Sequence, residues 1–112
     1  MDSKFHLNDL MLVIADRKAN PPAKSYVSML LQAGIAKIGP KITEEAAEVV
    51  EAAGEPGSEG RAHLVNEVAD LLFHTLVLLG ERDIPFTEIE AELARRFGVS
   101  GIDEKASRTP SL

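Results

Sequence analysis

Cysteine and tryptophan are missing from this 112-residue chain, and aromatic residues make up only 4% of it. The lack of cysteine removes disulfides, thiolate metal sites and cysteine nucleophiles together. With so few aromatics, the core of a chain that is 45% hydrophobic must come from Ala, Val, Ile and Leu, a composition of packed helices rather than of a β-sandwich. Basic residues are also short, 12 against 18 acids for a net charge of −6. No basic stripe exists to displace counterions, which argues against a nucleic-acid partner. A small phosphorylated substrate fits only if cations bridge it to the acids. Long apolar runs are missing as well: the longest uncharged apolar stretch, Thr75 to Gly80, is too short to span a bilayer, and no secretory segment follows Met1. The expectation is a cytoplasmic, single-domain protein with no membrane partner.

Five helical segments can be read along the chain. Leu7 to Lys18 carries Leu7, Leu10, Met11 and Ile14 at helical spacing and stops before Asn20-Pro21-Pro22. Ser25 is a good N-cap for a short helix from Tyr26 to about Gln32, ended near Gly34. Ile35 to Ala53 is periodic but contains Gly39-Pro40, so a new helix begins at Pro40 or a longer one kinks there; Lys37 and Ile38 stay in phase with the residues beyond, which favours the kink. Gly54 to Gly60 reads as the turn of an antiparallel hairpin. Arg61 to about Arg82 is the longest and most apolar helix, and Thr87-x-x-Glu90 reads as a capping box for a last helix ending at Phe97. Residues 1–97 form an all-α domain on this reading, an antiparallel bundle of about five helices, and residues 98–112 a C-terminal tail. A helix as apolar as Leu64 to Leu79 in so short a chain implies a bundle completed by dimerisation.

Two acidic motifs interrupt this apolar pattern. At 100° per residue, Lys37, Lys41, Glu44, Glu45 and Glu48 fall within a sector about 100° wide, with Ile35, Ile38, Ile42, Ala46, Val49, Val50 and Ala53 on the far side. On the next helix His63, Glu67, Asp70 and His74 form a strip about 60° wide. A Glu-Glu-x-x-Glu cluster alone is usually a solvated face. Glu67 and Asp70 are harder to dismiss, because a desolvated carboxylate without a partner is very costly. Two such helices facing one another would build a cage of oxygen ligands suited to Mg²⁺, with Mn²⁺ as a substitute. Neither the Glu-x-x-His pairs of a di-iron bundle nor His-Glu-x-x-His is present. Lys37 and Lys41 could hold a polyphosphate beside the cage or be ordinary surface lysines. His74 could orient a ligand, contact substrate, or be a hydrogen-bonded core histidine.

Ser25-Tyr26-Val27 with Leu30-Leu31, then Gly34-x-x-Lys37-Ile38-x-x-Lys41-Ile42-x-Glu44-Glu45-Ala46-x-Glu48, then Glu67-x-x-Asp70-Leu71-Leu72-x-His74, resembles the phosphoribosyl-ATP pyrophosphatase family. The tail from Arg96-Phe97-Gly98 through Ser100-Gly101, Glu104-Lys105-Ala106 and Arg108 is similar to that family's end. The two acidic motifs by themselves indicate only the wider all-α nucleotide pyrophosphatase superfamily. The resemblance implies Mg²⁺-dependent hydrolysis of phosphoribosyl-ATP to phosphoribosyl-AMP and pyrophosphate, the second step of histidine biosynthesis, by a homodimer. It implies Glu45, Glu48, Glu67 and Asp70 as metal ligands. Glu44 stands beside them, holding a further ion or activating the attacking water, so that Glu44 and Glu48 are the catalytic pair. Lys37, Lys41 and His74 would meet the substrate, and Lys105 and Arg108 of the tail would close over it. Gly39-Pro40 departs from the unbroken helix expected of the family. A separate phosphoribosyl-AMP cyclohydrolase would act next, since the chain has neither length nor cysteines for that domain. Two other readings stay open: a house-cleaning nucleoside triphosphate pyrophosphatase, and a non-catalytic helical interaction module.

Overall fold

In the computed structural model, which describes residues 4–98, five helices follow one another: α1 (Leu7–Ala19), α2 (Tyr26–Ala33), α3 (Ile35–Ala53), α4 (Gly57–Glu81) and α5 (Phe86–Phe97). No strand occurs among the described residues, and the all-α bundle expected from composition is what forms. Ser25 caps α2 as its spacing suggests, accepting from the Ser28 amide at 3.1 Å. Gly34 closes that helix at φ 80° and opens the next, a backbone angle only glycine adopts without strain. The helix α3 neither restarts nor stops at Pro40; it runs as one element from Ile35. The bond that proline cannot donate, to the Ala36 carbonyl, lies on an exposed face of the second turn, where water can replace it.

Two boundaries differ from the sequence reading. The turn before α4 is shorter than Gly54 to Gly60, because the helix starts at Gly57 behind Pro56. Gly57 takes φ 73°, and the first turn packs so closely that a Cβ on Gly60 would strike the Glu55 carbonyl. The α5 helix starts at Phe86 with Pro85 at its N-cap, so Thr87 lies inside the helix and forms no capping box. Proline there holds an extended backbone ahead of the first turn.

A single core joins four helices. Ile14 from α1, Leu30 from α2, Ile38 from α3, and Leu76 and Val77 from α4 are completely buried, with Met11 and Leu31 beside them. Gly80 lets α1 approach α4: a Cβ there would stand 2.5 Å from the Ile14 Cγ2. Lys18 then donates to the Gly80 and Glu81 carbonyls at 3.1 and 3.0 Å and pairs with Asp83 at 2.8 Å, placing a cation on the negative end of α4. The most extensive contact in the fold is the antiparallel hairpin of α3 and α4. Among the described residues α4 is the one helix that by length and composition could cross a membrane, yet its Glu67 and His74 are buried and His74 is bonded to a carboxylate of α3, as in a core helix.

The seam between α3 and α4 does not follow the acidic-against-apolar division of the helical wheel. The inward residues of α3 are Ile38, Glu45 and Ala52, with Ile42, Glu48 and Val49 half-buried. Ile35, Ala46, Val50 and Ala53, read as the apolar side, are exposed, Val50 by 74%. On α4 the matching outward stripe is Val65, Ala69 and Leu72.

Candidate active site

Glu45 is carried into the seam because it stands seven residues from both Ile38 and Ala52, two turns either way on the same face. Opposite it, α4 supplies Glu67 and His74, also seven apart and also buried. Glu45 Oε1 lies 2.7 Å from His74 Nδ1. The histidine's other nitrogen lies 2.8 Å from the Tyr26 hydroxyl, so both ring nitrogens have partners inside the protein.

Glu67 is less well provided for. One oxygen faces His63 Nε2 at 3.3 Å, and His63 Nδ1 is anchored 2.9 Å from Glu55 at the hairpin turn. The other, Oε1, is buried with no hydrogen-bond partner. The neighbouring Glu48 shows the consequence. Its carboxyl is raised above the usual range, first by Glu67 as hydrogen-bond partner of its protonated form and then as a like charge, with burial, Glu44 and Glu45 acting the same way. While Glu48 is ionised, the Glu67 oxygen is a buried acceptor lacking a donor beside a like charge, a place where positive charge is missing. Asp70 is half-buried one turn on, 3.5 Å from the Asn66 amide.

Glu45, Glu48 and Glu67 meet at the seam from two helices, and Asp70 follows Glu67 one turn along α4. Among the described residues, however, no group of three or more His, Asp or Glu side chains is gathered tightly enough to hold an ion as it stands. Glu45 is turned to His74 and Glu67 to His63. The donor set nonetheless fits a hard divalent cation, since it is all oxygen and includes one orphaned buried oxygen.

Along the outer edge of α3, Ala36, Lys37, Pro40, Lys41 and Glu44 line an open cleft of about 450 Å³. Neither lysine has an ion-pair partner among the described residues, although helical spacing would allow glutamate pairing; both ammonium groups are open to the cleft. A second groove, about 400 Å³, runs between α1 and the start of α5, lined by Met11, Leu12, Ala15 and Phe86. Its charged members Lys18 and Asp83 bond to one another, and none of the acidic cluster borders it. Lys105 and Arg108 lie outside the described residues. The Tyr26–His74–Glu45 link was not legible in the sequence, where Tyr26 and His74 stand 48 residues apart.

The site is thus an all-α hairpin with carboxylates on both helices and lysines at its edge. The model of the phosphoribosyl-ATP pyrophosphohydrolase family matches residues 7–97, and the chain belongs to that family, making it a hydrolase of histidine biosynthesis. Among its relatives, a phosphoribosyl-ATP pyrophosphatase of Geobacter metallireducens is 58% identical over 96 residues, 86% of this chain and 85% of the relative. One from Trichlorobacter lovleyi is 50% identical over 109 residues, covering 96% and 98%. One from Rhodopirellula baltica is 47% identical over 107 residues, covering 96% and 89%.

Proposed function

We propose that the protein hydrolyses phosphoribosyl-ATP to phosphoribosyl-AMP and pyrophosphate with Mg²⁺ as its cofactor, Mn²⁺ substituting. The observation that carries this reading is the buried Glu67 oxygen without a donor, beside a Glu48 carboxyl raised by the same neighbour. Mg²⁺, when bound, screens the polyphosphate, steadies the charge growing on the leaving pyrophosphate and makes water more nucleophilic. Glu45, Glu48, Glu67 and Asp70 would hold it. Lys37 and Lys41, one turn apart on the cleft wall, meet the phosphate oxygens as point charges. Glu44, which lines the same cleft, would hold a further ion or activate the attacking water. The phosphoanhydride between the α- and β-phosphates would break as water adds to phosphorus, with pyrophosphate leaving and a carboxylate of the cluster accepting the proton of the water.

The relatives named phosphoribosyl-ATP pyrophosphatase favour this substrate over the non-standard triphosphates of a house-cleaning enzyme. Pyrophosphate release from phosphoribosyl-ATP, with ATP and dUTP as controls, separates the two. Saturable Mg²⁺ binding without substrate separates both from a non-catalytic interaction module. We also propose a homodimer formed through the outward stripes of α3 and α4, where Val50, Val65 and Leu72 are 74%, 63% and 42% exposed. A second hairpin packed there would bury what one chain leaves open. A cytoplasmic location and a separate phosphoribosyl-AMP cyclohydrolase acting next complete the proposal.

A further inference from the structure

His74 sits in the middle of α4, 5% exposed, and joins three helices. Its Nδ1 faces two acceptors, Glu45 Oε1 at 2.7 Å and the Asp70 carbonyl of its own helix at 3.1 Å. Nδ1 must therefore carry a hydrogen whatever charge the ring bears. Nε2 points the other way, to the Tyr26 hydroxyl at 2.8 Å. Tyr26 is itself held in place. It is the first residue of α2, directly behind the Ser25 cap, and its ring stacks on Phe73 with centroids 6.1 Å apart and 17° between planes. Phe73 in turn meets the His74 ring edge-on at 4.9 Å. Ring orientation is thus fixed by packing on one side and by hydrogen bonds at both nitrogens.

Among the described residues His74 is the one hydrogen-bond partner of the Glu45 carboxylate. We propose that Tyr26 and His74 are positioning residues: a chain running from α2 through α4 to α3 holds the Glu45 carboxylate in one orientation, with Oε1 engaged and Oε2 available to a divalent cation. A buried carboxylate on a helix otherwise has several rotamers to choose from, and losing that choice on binding weakens a site. This inference rests on the reading of Glu45 as a cation ligand. It also decides between the roles open to His74: its nitrogens are spent inside the protein, so it orients a ligand rather than touching substrate.

The test uses Mn²⁺ alone as the probe, bound to the substrate-free protein and followed by electron paramagnetic resonance, with metal-free Tm recorded alongside. Tyr26→Phe keeps the stacked ring and removes only the hydroxyl. His74→Leu removes the hydrogen bonds at both ring nitrogens at similar volume, and His74→Asn restores an N–H near the position of Nδ1. Loss of an outer partner of a ligand typically weakens metal binding about 10- to 100-fold. His74→Leu should fall in that range, Tyr26→Phe should lose about tenfold, its lower end, and His74→Asn should recover part of what leucine loses. Tyr26→Phe leaves His74 Nε2 without its partner and should lower metal-free Tm by about 4–8 °C, so Mn²⁺ affinity is read at a temperature where the metal-free variant is fully folded. A loss of affinity there is what a merely structural role would not produce. Should His74→Leu fail to fold, Tyr26→Phe and His74→Asn carry the comparison. Glu45→Gln separates the two levels of the account. If it weakens Mn²⁺ binding while Tyr26→Phe and both His74 variants bind as wild type does, the positioning chain is overturned. If Glu45→Gln itself binds normally, the ligand reading fails first.

Discussion

Replacing Glu67 by glutamine tests the seam in two directions at once. The side chain is buried, one oxygen has no donor, and its neighbour Glu48 is raised on its account. Glutamine keeps the shape, removes the negative charge and adds an amide N–H that can donate to Glu48. A buried acceptor left unsatisfied costs about 1–3 kcal/mol. Relief of even the lower figure should raise the metal-free Tm by about 4–8 °C for a domain of this size. The weak contact with His63 is lost, but that ring keeps its shorter bond to Glu55. With metal the order should invert. A ligand at 100 times its Kd stabilises the native state by about 2.7 kcal/mol, a gain the variant should largely lack. Removal of a group acting on developing charge commonly costs about 10²–10³ in rate, or about 2.7–4 kcal/mol of barrier. Circular dichroism melts at fixed protein concentration, in EDTA and in excess Mg²⁺, read the crossing directly. A variant that melts lower than wild type by the same amount in both buffers would refute the reasoning and make Glu67 an ordinary core acid.

Lys41→Ala should lower kcat/KM tenfold or more, about 1.4 kcal/mol, while leaving Mg²⁺ binding nearly unchanged; Lys4→Ala, outside the cleft, controls for charge, and equal losses in the two would refute phosphate contact. Val50→Asp with Leu72→Asp should convert a sedimenting dimer to monomer, and a wild-type monomer at micromolar concentration would contradict the proposed interface. Arg95 and Arg96 hold the Glu92 carboxyl down to about 2 from an ordinary 4.5. Its folded-state value is depressed, so its contribution is complete above pH 4.5 and fades as pH falls through about 2; the stability difference between wild type and Glu92→Gln should narrow over that window in acid melts. His63 is raised, mainly by its bond to Glu55. Its contribution is therefore present below the ordinary histidine range and lost as pH rises through the folded-state value.

The helical pattern was legible because α3 and α5 are strongly amphipathic, α4 is long and apolar, and Ser25 is a clear cap. Pro40 was harder. Proline in a second turn costs one ladder bond on an exposed face, and Ile38 and Ile42 on the buried side keep α3 continuous. The early start of α4 depends on the positive φ of Gly57 and the close fit at Gly60, neither of which periodicity reveals. At α5, Pro85 rather than Thr87 takes the capping position, since local spacing alone cannot rank two competing starts. For the site, the wheel placed Glu45 with Glu44 and Lys41, and it gives relative angles only. Packing then turned the sector so that Glu45 faces α4, Glu44 faces the cleft and Val50 faces outward. The side-chain partners of His74, Tyr26 and Glu45, lie on other helices and leave no trace in local sequence.

The most direct test of the central claim is pyrophosphate release by the purified protein from phosphoribosyl-ATP, with and without Mg²⁺, beside ATP and dUTP at equal concentration. Stoichiometric pyrophosphate and phosphoribosyl-AMP from phosphoribosyl-ATP alone, abolished by EDTA and restored by Mg²⁺, is the expected result. Equal or faster release from ATP or dUTP, or turnover that persists undiminished in EDTA, would contradict it.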